Sequence, residues 1–145
     1  MKKFELTAES KINIFGKKLF RIKALISFGD VEEGETGGWI EKEENLEQSS
    51  GDAWVYGDAE VYGNAWVSGN ADYTTIHGFG TQFRTTTFFQ CEDKQIRVSC
   101  GCFLGTIPEF REQVKNTREG KIAEEYLMIA DLMEKHFVKE KESGE

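Results

Sequence analysis

The sequence predicts a mainly β protein with helices towards its C-terminal end, built around a short solenoid of stacked strands. Three observations predict it. Residues 51–73 repeat every six positions, as GDAWVY-GDAEVY-GNAWVS-GNADY, and self-similarity at a fixed period is the mark of stacked repeats. Residues 1–28 and 82–102 alternate between two faces in the two-residue period of strands. Residues 121–137 carry apolar side chains at helical spacing.

Taken in order, Phe4 and Leu6 read as a short strand, and Lys11 to Ile14 and Leu19 to Ile26 as two more, turning through Phe15-Gly16-Lys17. In the last of these, Phe20, Ile22, Ala24 and Ile26 share a wholly apolar face that should be buried. Residues 29–38, GDVEEGETGG, hold four glycines and four acids without periodicity and predict a loop. Trp39 and Ile40 begin an imperfect coil: Ile40 and Leu46 are six apart, but Leu46 to Val55 is nine. Three extra residues near Gln48 to Ser50 therefore predict a bulged corner.

In the repeat, Gly51, Gly57, Gly63 and Gly69 open the units and are followed by Asp52, Asp58, Asn64 and Asn70. Such pairs accept the backbone angles of corners. Ala53, Ala59, Ala65 and Ala71, with Val55, Val61, Val67 and Tyr73, are expected to point inward. The variable Trp54, Glu60, Trp66 and Asp72 are then outward. Outward tryptophans suit either a partner surface or a cover of the chain's own helices.

Beyond Tyr73 the repeat decays through Thr74 to His77. Gln82 to Cys91 and Gln95 to Cys102 predict a β-hairpin turning at Glu92-Asp93-Lys94. Thr106, Pro108 and Glu109 match a helix start, with a capping threonine, a first-turn proline and a glutamate three residues on. A second helix follows over about 121–137, where Ile122, Tyr126, Ile129, Met133 and Phe137 form one stripe. The chain thus divides into an N-terminal β segment (1–38), a short repeat solenoid (39–80) and a hairpin with two helices (81–145), joined as one compact unit. One clean coil cannot bury its own ends, so flanking segments or sister chains must cap it.

Composition narrows the function. Net charge is −8 over 145 residues, which argues against general nucleic-acid binding, where phosphate contacts dominate affinity. The charge is segregated: residues 1–28 carry seven Lys or Arg against two Glu, and residues 29–60 carry eleven acids against one Lys. That polarity fits a self-complementary contact between subunits or simply two solvated surfaces. No apolar run is long enough to span a membrane. The start, MKKFELTAESK, lacks a secretion signal's apolar stretch. Three cysteines do not make a disulfide framework. A cytoplasmic protein without a membrane partner is expected.

Candidate chemistry gathers near the end of the repeat. Arg84 can clasp a phosphate or carboxylate at two points. Thr85, Thr86 and the backbone around His77-Gly78-Phe79-Gly80 can complete an anion site. Phe79, Phe83 and Phe88 can stack on a planar ring. Arg21 and Lys23 of the basic N-terminal segment can add charge. The competing reading is an ordinary strand, with sheet-favouring threonines and an arginine paired to an acid. His77 is the one histidine placed like a base, and a turn histidine is the bland alternative. Cys91, Cys100 and Cys102 fit packed thiols better than zinc ligands, because tetrahedral sites rarely space ligands two apart in sequence; a redox pair needs an exposed, acidified thiol. No metal or cofactor is expected.

The Val-x-Gly-Asp/Asn-Ala-x units resemble the hexapeptide repeat of left-handed parallel β-helices. The resemblance implies three hexads per triangular coil and a homo-oligomer, a trimer above all. It also implies one of several functions, from acyltransferase to γ-type carbonic anhydrase or scaffold. The three zinc histidines of the anhydrases cannot be supplied by His77 and His136 alone. Over nearly the full length, LFRIKALISFGDVEEGETGGWIEKEENL, the repeats, and GFGTQFRTTTFFQC with its helical continuation are similar to small hexapeptide-repeat proteins of Firmicutes phages and prophages. Some small phage oligomers are sponges that trap nucleotide-derived immune signals of the host. This implies a phage-encoded, non-enzymatic protein of the host cytoplasm that sequesters a small anionic, nucleotide-like ligand between subunits. The alternatives are a structural or protein-binding module and an acyltransferase-like enzyme using His77.

Overall fold

Two four-stranded sheets, with the glycine-led repeat between them and two helices on the far side of the second, make up the protein. The computed structural model describes residues 2–13, 15–49, 51–81, 84–100 and 103–138. The first sheet has the order β1 (Phe4–Ile12), β2 (Lys18–Ala24), β3 (Thr36–Ile40), β4 (Glu60–Val61). Its first three strands are antiparallel, and β4 runs parallel to β3. The second sheet is an antiparallel meander: β5 (Tyr73–Phe79), β6 (Arg84–Gln90), β7 (Ile96–Cys100) and β8 (Phe103–Thr106). Helices α1 (Ile107–Thr117) and α2 (Gly120–Phe137) follow.

Among the described residues no solenoid forms, so the expected left-handed parallel β-helix over 39–80 is corrected. Of the four repeat units, only Glu60–Val61 and the last residue, Tyr73, where β5 begins, are strand. A β-helix needs each coil to stack on another coil of the same path. Here one flank of the repeat lies on residues 38–47, through Gly38 N–H to Val55 O (2.7 Å), Trp39 N–H to Ala59 O (3.0 Å) and Val67 N–H to Asn45 O (2.9 Å). Its other flank meets the turn between β6 and β7, through Trp66 N–H to Gln90 O and Glu92 N–H to Asn64 O, each 2.8 Å. That neighbour belongs to an antiparallel meander, so the coil has nothing of its own kind to stack on. The triangular coil was the reason to expect a trimer, and that reason is gone.

The apolar pattern of the first three units still works. Ala53, Ala59 and Ala65, with Val55, Val61 and Val67, are all buried. Trp54, expected outward, is fully buried as well, edge-on to Phe4 and Phe28. The segment 53–55 is irregular rather than strand, so its side chains do not alternate faces. Gly37 and Gly38 admit it: a Cβ on Gly37 would sit 2.7 Å from Ile22, Trp54 and the Val55 carbonyl. The loop expected over 29–38 thus gives way to strand at Thr36, because its last glycines serve close packing rather than a turn.

Each face of the second sheet has its own core. Tyr73, Phe89 and Cys91 join the first sheet and the repeat. Phe88 and Val98 join Phe110, Val114, Tyr126, Ile129 and Met133 of the helices. The α1 start is capped as its sequence indicates: Thr106 N–H donates to Glu109 Oε1 (2.8 Å) and Glu109 N–H to Thr106 Oγ1 (3.4 Å). Among the described residues no helix is long and apolar enough to cross a membrane.

Candidate functional site

The alternation of β5 and β6 decides which predicted residues meet. Tyr73, Thr75 and His77 lie opposite Phe89, Thr87 and Thr85. Tyr73 and Phe89 belong to the core under the first sheet, so this whole face looks that way. The other face carries Ile76, Thr86 and Phe88 towards the helices.

Between the two sheets, on the first of these faces, opens a cleft of about 470 Å³. One wall is His77, Arg84, Thr85 and Thr87 of β5 and β6, with Ser99 of β7; the other is Lys11, Ile12 and Asn13 of the β1 end, with Asp58, Glu60 and Tyr62 of the repeat. Its volume falls in the range of small-molecule sites. Glu60 N–H donates to Thr87 Oγ1 (3.3 Å), tying the walls together at the floor. The Tyr62 hydroxyl and Ser99 Oγ are 2.9 Å apart. Burial pushes the Tyr62 phenol up from its ordinary pKa, the Ser99 bond opposing, so it stays a neutral hydroxyl. His77 Nδ1 lies 2.8 Å from Thr85 Oγ1. Lys11 Nζ is 2.7 Å from a Glu60 carboxylate oxygen and 4.5 Å from the centre of the Trp39 ring. Asn13 Nδ2 is buried at this edge without a hydrogen-bond partner among the described residues.

The structure therefore brings together three of the predicted residues, Arg84, Thr85 and His77. It separates the others. Thr86 is buried on the helix side and donates its hydroxyl to Cys100 Sγ (3.2 Å). Phe88 is fully buried there against Phe110, and Phe79 packs into the same core. Phe83 lies outside the described residues. Arg21 is tied down elsewhere: it donates to the carbonyls of Gly37 (2.9 Å) and Gly57 (2.8 Å) and covers the Trp39 ring. Lys23 is exposed on β2, opposite Glu5 and Thr36 and away from the cleft.

Sequence reasoning missed Lys11, Asp58, Glu60, Tyr62 and Ser99. Glu60 stands at the variable place in the repeat, which was a signal, whereas Asp58 holds a regular corner position. Nothing local paired them with β6, because that pairing spans 27 residues.

Two other features bear on rival readings. An open groove of about 610 Å³ is lined by Glu43, Glu44, Glu47 and Glu92 beside half-buried Trp66, whose ring lies 4.8 Å under Lys94 Nζ. Cys91 sits in the core under the first sheet and Cys100 borders the helix core, so these two thiols do not share a site. Burial pushes the Cys91 thiol up, against the pull of Arg97. Cys102 lies outside the described residues. No protein-family model matches this chain, and no curated protein matches it by sequence.

Proposed function

We propose that the protein is a non-enzymatic binding protein for a small anionic ligand of nucleotide type, held in the cleft between the two sheets. The observation that carries this is the meeting of Arg84, His77 and Thr85 with Lys11 across one polar cleft of ligand size. Arg84 and Lys11 suit phosphate oxygens. Asp58 and the Tyr62, Thr87 and Ser99 hydroxyls suit sugar hydroxyls or amino groups. A site with both signs of charge favours a ligand bearing anionic and donor groups over a bare anion. The cleft lies within one chain, so this reading needs no seam between subunits. The likeness to phage proteins makes nucleotide-derived immune signals, such as cyclic oligonucleotides and ADP-ribose derivatives, the first candidates.

The hydrogen bond of His77 is to a threonine hydroxyl, not to a carboxylate that would orient it as a base. An acyltransferase role therefore gains no support from the geometry. Calorimetry with a panel of such nucleotides tests the binding reading. Binding to one of them is expected, weakened about tenfold or more in Arg84→Ala. No binding to any by folded protein overturns it.

A second reading, a protein-binding module, is favoured by the acidic groove beside Trp66. Trp54 no longer contributes, since it is buried. A stable protein partner lost in Trp66→Ala and retained in Arg84→Ala would establish that reading.

A further inference from the structure

Helix α2 buries one side and leaves another uncovered. Tyr126, Ile129, Ala130 and Met133 pack inward, into the core that α1 and the second sheet share. Facing away from these stand Met128, 69% exposed, and Leu132, 57% exposed, one helical turn apart. A single exposed apolar side chain is ordinary on a protein surface. These two are neighbours on one stripe, and charge brackets them in a definite order. Glu125, Met128, Leu132 and Lys135 follow one another at spacings of three, four and three. That alternation is the one with which two helices interlock side by side.

The charges on this line are uncommitted within the chain. Neither Glu125 nor Lys135 enters an ion pair among the described residues. The acids beside the line are spoken for: Asp131 and Glu134 both pair with Arg111, at 2.9 and 2.8 Å. The line therefore presents an acid at one end, a base at the other and two apolar side chains between them.

We propose that this face pairs with the same face of a second copy of the chain, the two α2 helices running antiparallel. A two-fold axis at the level of Ala130 sets Met128 against Leu132 of the second copy, and Glu125 against its Lys135. Each contact then occurs twice, as a two-fold interface requires. Two apolar pairs lie in the centre and an ion pair closes either end. Parallel helices would instead set Glu125 against Glu125 and Lys135 against Lys135, so the order of charge selects the antiparallel sense. A second copy is the occupant because the line is complementary to itself under that rotation. The contact closes at two copies, unlike the trimer that the repeat implied. One helix a side makes a small interface, so the dimer should dissociate on dilution. Neither Met128 nor Leu132 lines the cleft, and the pairing does not depend on a ligand there.

The test is sedimentation velocity of the full chain from micromolar to millimolar concentration. The expected result is a shift from the mass of one chain to that of two. Leu132→Glu, at a position more than half exposed, should keep the circular dichroism of the fold and raise the dissociation constant about tenfold or more. Glu125→Lys and Lys135→Glu should each weaken pairing several-fold, because each sets like charges together. The double variant, Glu125→Lys with Lys135→Glu, should recover most of the loss, which only antiparallel helices in this register allow. A monomer at every concentration overturns the proposal and leaves the face to a different protein. An assembly larger than two, a dimer indifferent to Leu132→Glu, or charge reversals without that loss and recovery also overturn it.

Discussion

The Asn45 side chain reaches twenty residues along the chain, donating from Nδ2 to the carbonyl of Ala65 at 3.0 Å. It also donates to the Gly63 carbonyl (3.2 Å), while its Oδ1 accepts from the backbone of Glu41 (3.1 Å) and Lys42 (3.0 Å). All four of its hydrogen-bonding positions are filled, and the residue is completely buried. One amide thus pins the repeat against the segment after β3, where a ladder of strand bonds would otherwise be needed. Asn45→Ala should cost about 3 kcal/mol, because it strands several buried backbone groups at once. Asn45→Asp should cost at least as much, since a carboxylate would face two carbonyl oxygens. Denaturant unfolding measures both, and a loss below about 1 kcal/mol would show that the repeat is held by packing alone.

Gly37 and Gly69 should respond oppositely to the same substitution. Gly37→Ala drives a methyl group into Ile22, Trp54 and the Val55 carbonyl, all at 2.7 Å, one of them backbone that cannot swing aside. A loss of about 3 kcal/mol is expected. Gly69 has extended backbone at φ −149° and nothing within 4 Å of an added Cβ. Gly69→Ala should change stability by less than about 0.5 kcal/mol. Thermal unfolding of the pair checks whether the fourth repeat glycine is a corner in name only.

These glycines show how far the sequence could be read. The repeat correctly marked Ala53, Val55, Ala59, Val61, Ala65 and Val67 as buried, because small and β-branched residues at fixed spacing announce a buried surface whatever builds it. It misled on architecture, since the same spacing serves a coil stacked on coils and a strip laid between two sheets. What separates them is the partner on each flank, and those partners sit far away in sequence: residues 38–47 on one side, Gln90 and Glu92 on the other. The α1 cap was legible because Thr106, Pro108 and Glu109 act within one turn. Strand β8 was not, as Phe103–Thr106 shows no alternation long enough to register. At the site, the sequence grouped Arg84, Thr85, Thr86 and Phe88 by adjacency, whereas a strand sends neighbours to opposite faces.

That division gives a direct test of the cleft. Thr85→Val removes a cleft hydroxyl and the partner of His77 Nδ1, so nucleotide affinity should drop several-fold with little change in stability. Thr86→Val removes the hydroxyl bonded to Cys100 on the helix side, so stability should change by about 1 kcal/mol and affinity not at all. Calorimetry and thermal unfolding of both variants decide it. Equal effects of the two on affinity would mean that the ligand is not on the face assigned to it.

Tyr73 links the repeat to the second sheet and makes the fold sensitive to alkali. Its hydroxyl accepts from Tyr56 N–H at 3.0 Å, and burial raises its pKa from 10.0 to about 12. The folded state therefore keeps a proton that the unfolded chain releases. This contribution to stability is fully present below pH 10.0, the unfolded value, and is lost as pH rises through about 12. Between those values stability should fall by up to ~1.4 kcal/mol per pH unit from this group. Tyr73→Phe leaves the Tyr56 amide without this acceptor and should cost about 1 kcal/mol at neutral pH. The variant should also unfold less steeply with alkali, because its phenyl ring has nothing to titrate. Urea midpoints measured from pH 8 to 12 should close the gap between the two proteins about one unit above pH 10 and then reverse it, the variant being the more stable at the alkaline end, and parallel curves throughout would show that Tyr73 ionises no less readily folded than unfolded.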